Sequence, residues 1–216
     1  MTMTIHEVLD LAPVIPVVLV HDADDAVPLA RALVAGGLPA IEVALRTPAA
    51  LAAIARIADE LPAAVVGAGA VVDAAAAACA RRAGAEFLAS PGATRALLDA
   101  LQDGDVPLLA GAATASEITA LLERGITAAR LFPAEAMGGI TVLRAAARAF
   151  PQMRFCPSGG INLARARHYV EQENVACVGG SWMAPADAIG AARWDAIVAL
   201  AEQAAALAGP GSRVAR

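Results

Sequence analysis

Lysine never occurs in this chain. All sixteen of its lysine-plus-arginine positions are arginine, although lysine is among the commonest residues of globular proteins. Chemistry that runs through a side-chain primary amine therefore has no donor. Aromatic residues are scarce, at 3%, and the net charge is −5. With no basic footprint and few stacking platforms, nucleic acid is discounted as a partner. The longest stretch without a formal charge, residues 174–186, is interrupted by Gly179-Gly180-Ser181 and falls short of the roughly 18 apolar residues a spanning helix needs. No membrane partner is expected. The opening string MTMTIHEVLD has acids and no basic n-region, so it resembles no secretory signal, and a cytoplasmic location is the expectation. Cysteine is limited to Cys79, Cys156 and Cys177, widely spaced and without a C-x-x-C pair. That excludes a disulfide framework or zinc knuckle and leaves core thiols. His6, His21 and His168 form no H-E-x-x-H, and neither a metal nor a cofactor is expected.

What the chain does have is alanine, which inflates its hydrophobic fraction to 58% and argues for a helix-rich globular protein. At 216 residues it suits one domain, 1–216. Short apolar runs at 14–20, 40–45, 64–69, 86–90, 106–111, 128–132, 153–157 and 175–180 alternate with alanine- and leucine-rich segments of helical period, and a last helix is expected near 190–208. Eight strands with intervening helices in about 200 residues predict an α/β fold, a single-domain (β/α)8 TIM barrel, with its chemistry at the C-terminal strand ends. The alternative, an open doubly wound sheet, lacks a G-x-G-x-x-G after its first strand.

In that barrel the polar residues at strand ends are few: Glu42 and Arg46 around strand two, Ser90 after strand four, Arg130 and Glu135 around strand six, and Ser158 and Ser181 after strands seven and eight. Arg130 lies in an apolar run, where a guanidinium is costly unless it meets an anion. Glu42 is equally exposed to that argument. It is either a structural ion-pair partner of Arg46 or Arg130, or a general acid/base. The strings PSGGI (157–161) and VGGSW (178–182) each set a Gly-Gly beside a serine between strand and helix. Freed backbone N–H groups there make an anion site, in the two loops where barrels commonly hold phosphate. Trp182 and Trp194 are read as packing residues.

The strings VIPVV, ALVAGG, IEVALRT, VGAGAV, SPG, LFPAEAMGG, RFCPSGGI and VGGSWMAP, in this order, resemble the 2-keto-3-deoxy-6-phosphogluconate (KDPG) and 2-keto-4-hydroxyglutarate (KHG) aldolase family. The likeness runs from about residue 5 to 208. It implies a (β/α)8 barrel, usually assembled as a homotrimer. It also implies cleavage of a 2-keto-4-hydroxy acid, read here as phosphorylated, to pyruvate and an aldehyde through a lysine Schiff base. By this resemblance Glu42 is the acid/base, Arg46 meets the ketoacid carboxylate, and Pro91 and Phe132 are pocket walls. Ser158, Gly159, Gly160, Gly179, Gly180 and Ser181 form the phosphate cradle. Three departures stand out. Ala70 closes the family's G-A-G-T, Ala112 and Ala113 stand in its G-I-S-T, and Arg130 occupies the place of the Schiff-base lysine. An arginine stays protonated and forms no imine, although it can hold a carboxylate or an enolate. Three readings follow: an aldolase by descent that is altered at its nucleophile, a non-catalytic binder of phosphorylated 2-ketoacids, or a metal-assisted aldolase or decarboxylase with Glu42 and Glu135 as ligands.

Overall fold

The computed structural model describes residues 3–101 and 104–207. A short helix, α1 (Ile5–Asp10), precedes β1 (Val14–Val18), and strands and helices then alternate. They are α2 (Ala26–Ala35), β2 (Ala40–Ala44), α3 (Ala50–Glu60), β3 (Val65–Gly69), α4 (Ala74–Arg82), β4 (Phe87–Ala89) and α5 (Arg95–Leu101). There follow β5 (Leu108–Gly111), α6 (Ala115–Leu122), β6 (Ala128–Arg130), α7 (Ile140–Ala149), β7 (Arg154–Phe155), α8 (Leu163–Val170), β8 (Val178–Gly180), α9 (Ala186–Gly190) and α10 (Trp194–Ala205). All strand pairs are parallel, in the order β7-β6-β5-β4-β3-β2-β1-β8. Bridges from Phe155 to Val175 and from Ser158 to Gly179 join the two ends and close the barrel. No helix among the described residues is long and apolar enough to cross a membrane.

The eight apolar runs are the eight strands, each shorter than its run. Only two to five residues per strand keep the ladder before the chain turns away. Two helices lie outside the expected segments. Thr4 starts α1 with a capping box, its hydroxyl accepting from the Glu7 N–H while the Glu7 carboxylate returns to the Thr4 N–H at 2.7 Å. The expected last segment is α10, preceded by the separate five-residue α9.

Alternation along the strands sorts the core into two sides. Ile41, Val43, Val66, Leu88, Ala110 and Ala129 face outward and pack under Leu33, Ile54 and Leu121 of the helices. Ile15, Ala40, Phe87, Ala89, Leu109, Ala128, Cys156 and Cys177 fill the lumen, with Val8 and Leu9 of α1 closing its lower end. Cys156 and Cys177 are thus the expected core thiols, and Cys79 is half-buried. The Phe87 ring occupies the space a side chain at Gly67 would take. It is wholly buried in the lumen. Phe87→Ala is therefore expected to cost about 3–5 kcal/mol of unfolding free energy, measured by urea denaturation. A loss below about 1 kcal/mol would mean that the barrel collapses onto the gap.

Candidate active site

At the upper end of the lumen the inward positions change character. On β2 the inward residue after Ala40 is Glu42, and on β6 the one after Ala128 is Arg130. Strands β2 and β6 are four apart in the ring of eight, so the two side chains reach across the barrel from opposite walls. They meet in a bidentate ion pair: one guanidinium nitrogen donates to Glu42 Oε1 at 2.7 Å, and the other donates to Oε2. Glu42 is 1% and Arg130 5% exposed. The Arg130 Nε–H is buried and has no partner among the described residues.

Small residues make this crossing possible. A Cβ at Gly69 would run into the Glu42 carboxylate, and one at Gly179 would sit 2.9 Å from Ser158 Oγ and 3.6 Å from an Arg130 terminal nitrogen. Burial works against the guanidinium charge, but the Glu42 carboxylate more than offsets it and holds Arg130 above the usual arginine value. Arg130 is thus a permanent cation with a dedicated anion. The structural alternative for Glu42, an ion pair with Arg130, is what the structure shows. Arg46 takes no part: it lies exposed beyond β2 and pairs with neither residue among the described ones.

Around the pair the remaining candidates take separate places. Ser90 is buried, and its Oγ accepts from the Gly111 N–H at 3.1 Å, tying β4 to β5. Pro91 is half-buried, and its carbonyl folds against Gly111, where any side chain would strike it. Phe132, joined to Pro133 by a cis peptide, stands 37% exposed at the rim, with its ring 3.2 Å from where a Cβ on Gly159 would be. Ser158 is buried under Gly179. Gly159 (φ 101°) and Gly160 (φ 78°) both adopt conformations that favour glycine. Gly180 is glycine for a packing reason, because the Trp182 ring occupies the place of its Cβ. Ser181 is exposed and borders a cavity of about 340 Å³ shared with Val17, Leu19, His21, Asp25 and Ile189. Neither Glu42 nor Arg130 lines that cavity.

Glu135 is not at the lumen. It sits in the loop after β6, where Oε1 accepts from Tyr169 Oη at 2.5 Å and Oε2 pairs with Arg165 at 3.2 Å. Tyr169 and Arg165 are site-adjacent residues that the sequence reading did not single out. Their spacing of four on the helix directly after S-G-G-I-N, which places both on one face, was the available signal.

An acid paired with a cation across a (β/α)8 barrel, beside glycine-rich loops after β7 and β8, is the setting in which comparison with known proteins becomes informative. The model of the KDPG and KHG aldolase family matches residues 5–200. The chain belongs to this family. It is 47% identical over 199 residues to the KHG/KDPG aldolase of Escherichia coli K12, covering 92% of this chain and 93% of that protein. It is 46% identical over 201 residues to the 2-dehydro-3-deoxy-phosphogluconate aldolase of Dickeya dadantii, covering 93% and 94%. Among solved structures, the KDPG aldolase of Legionella pneumophila, with pyruvate captured as a covalent carbinolamine intermediate, superposes with a TM-score of 0.93 at 41% identity, covering 95% of this chain and all of that one. The aldolase of Zymomonas mobilis ZM4 with 3-phosphoglycerate gives 0.90 at 43% identity, covering 97% and 99%. A carbinolamine is the adduct of an amine with a carbonyl, and this family member has no lysine to form one.

The ion pair itself is testable through stability. Removing one partner of a buried pair leaves the other charge uncompensated, so Glu42→Leu is expected to lose about 3–5 kcal/mol. Combining it with Arg130→Met should recover most of that loss, because no charge is then stranded in the lumen. Denaturant titrations of the two single and one double variant check it. Strictly additive losses would mean that the two side chains are energetically independent despite their contact.

Proposed function

We propose that this chain is an aldolase-family protein for KDPG or 4-hydroxy-2-oxoglutarate that retains substrate-binding parts but cannot run the Schiff-base step as it stands. The observation that carries this reading is the bidentate Arg130–Glu42 pair. Retro-aldol cleavage of a 2-keto-4-hydroxy acid removes the C4 hydroxyl proton, breaks the C3–C4 bond and leaves the electron pair on C3. An iminium at C2 takes that pair up readily, and making it requires an unprotonated amine. Arg130 offers a guanidinium instead. It also engages both oxygens of the carboxylate that the family resemblance makes the acid/base. One substitution thus removes the nucleophile and occupies the base. What remains is suited to holding ligand: the apolar walls Phe132 and Pro91, and the glycine loops Ser158-Gly159-Gly160 and Gly179-Gly180-Ser181 for a phosphate. The names of the Escherichia and Zymomonas relatives support a phosphorylated 2-ketoacid as that ligand.

Nothing in the donor set favours the metal-assisted alternative, because the Glu42 oxygens are bound by Arg130 and those of Glu135 by Tyr169 and Arg165. The cytoplasmic location belongs to the same proposal by the character of the opening string, and the homotrimer by family resemblance. So does Arg46 as a carboxylate partner, which requires its exposed side chain to swing inward over the mouth.

Arg130→Lys tests the reading. A lysine lacks the planar fork that fixes both Glu42 oxygens at once, so its hold on the carboxylate is looser. Burial lowers its pKa while Glu42 raises it, so a fraction of the amine is unprotonated and grows as pH rises. After incubation with pyruvate and borohydride, peptide mapping should find an adduct at residue 130 in the variant and none in the unaltered chain. The variant should also release pyruvate from KDPG. An adduct on the unaltered chain would overturn the missing-nucleophile account. A folded Arg130→Lys protein without adduct would leave only the non-catalytic binder.

A further inference from the structure

Outside the lumen, a connected polar cluster surrounds Glu135, and its geometry bears on the loop after β7. Three successive carbonyls of that loop are held from one side. The Ser158 carbonyl accepts from the Ala134 N–H at 2.8 Å, and the Gly159 carbonyl accepts from the Glu135 N–H at 3.2 Å. The Gly160 carbonyl accepts from an Arg165 terminal nitrogen at 2.7 Å. In a planar trans peptide the N–H points opposite to the carbonyl. Tethering these carbonyls therefore turns the N–H groups of Gly159, Gly160 and Ile161 the other way, and none of the three has an acceptor among the described residues. Successive unpaired N–H groups of this kind form a concave anion nest. The positive φ values of Gly159 and Gly160 supply the required curvature.

The tether is itself supported. Arg165 is 54% exposed in its side chain and would be free to rotate, but its Nε is anchored on Glu135 Oε2 at 3.2 Å, and Tyr169 Oη, at 2.5 Å from Oε1, anchors Glu135 in turn. Burial and then the neighbouring Glu135 carboxylate push the Tyr169 hydroxyl well above its usual pKa, so it remains a donor. Packing is tight enough to fix the arrangement, since a Cβ at Gly160 would lie 2.9 Å from the Glu135 side chain.

We propose that Tyr169, Glu135 and Arg165 act as a positioning clamp that sets the N–H groups of residues 159–161 for a phosphate monoester. None of the three touches the anion. This rests on the reading of the β7 loop as the phosphate end of the site, and it adds the residues that give that loop its shape. It also assigns Glu135 a task unrelated to metal or proton chemistry.

The test is inorganic phosphate binding by calorimetry, at a temperature well below the unfolding transition, where reduced fold stability alone leaves affinity unchanged. Tyr169→Phe keeps the ring and removes one hydrogen bond. It should weaken phosphate binding about three- to tenfold, the worth of one such bond, while pyruvate binding, followed by ligand-observed NMR, stays within error. Arg165→Lys keeps the charge but loses the two-armed hold, and should weaken phosphate as much as Arg165→Gln does. Phosphate bound equally by the unaltered chain and by Tyr169→Phe would overturn the clamp, and full affinity in Arg165→Lys alone would show that Arg165 works by charge. Failure of the unaltered chain to bind phosphate would instead remove the phosphate reading on which the clamp rests.

Discussion

A carboxylate and a guanidinium from opposite walls of the barrel meet in its lumen, and much of the surrounding sequence follows from making room for them. Desolvating either charge alone costs several kcal/mol, and the pair recovers this only with good geometry. Both Glu42 oxygens are used, and Arg130 is aligned so that two of its nitrogens face them. The positions that a larger residue would fill at this level are glycine or alanine, including Ala44, Gly69, Gly111 and Gly179. Below it the lumen is filled conventionally by Phe87, Leu109, Ile15 and the two thiols. The barrel is therefore apolar at its base and electrically paired at its mouth.

Much of this was legible in the sequence because it depends on local pattern. Eight apolar runs separated by helical segments define an eight-stranded parallel sheet, and Glu42 and Arg130 were conspicuous as charges inside apolar runs. What the sequence left open has physical causes. Helices α1 and α9, at six and five residues, are too short for a 3.6-residue period to register. Arg46 follows β2 by two residues, but sequence cannot tell where a long side chain turns once the strand alternation has ended. Gly180 reads as part of an anion loop, yet the Trp182 ring explains its lack of a side chain. Tyr169 and Glu135 meet across 34 residues, a contact that exists only once the loops after β6 and β7 lie side by side.

Family membership and the residue at position 130 point in different directions, and the difference is chemical. In an imine-forming aldolase one position must present an amine that can lose its proton, and a nearby carboxylate must be free to carry one. An arginine satisfies neither demand, since it cannot deprotonate and its fork matches both carboxylate oxygens at once. Arginine also fixes the carboxylate more rigidly than a lysine would, because its planar fork matches both oxygens. If residue 130 holds the family's Schiff-base position, as proposed, stability at the mouth and competence for the imine are opposed at a single residue.

The same pairing governs how the site can attract a ligand. With Glu42 neutralising Arg130, the lumen offers a ketoacid carboxylate no net positive charge, and only the exposed Arg46 beyond β2 could supply one. If that carboxylate displaced Glu42 from the guanidinium, a buried anion would be left uncompensated, and the cost of that stranding would exceed what one new ion pair returns. The loop after β7 has no such conflict. The carbonyls of Ser158, Gly159 and Gly160 are satisfied from behind, and the N–H groups of residues 159–161 have no acceptor among the described residues. On the proposed reading, recognition in this chain falls mainly on the phosphorylated end of a ligand. For an enzyme the reacting end must be the better-held one in the transition state. Here the distribution of charge favours the other end.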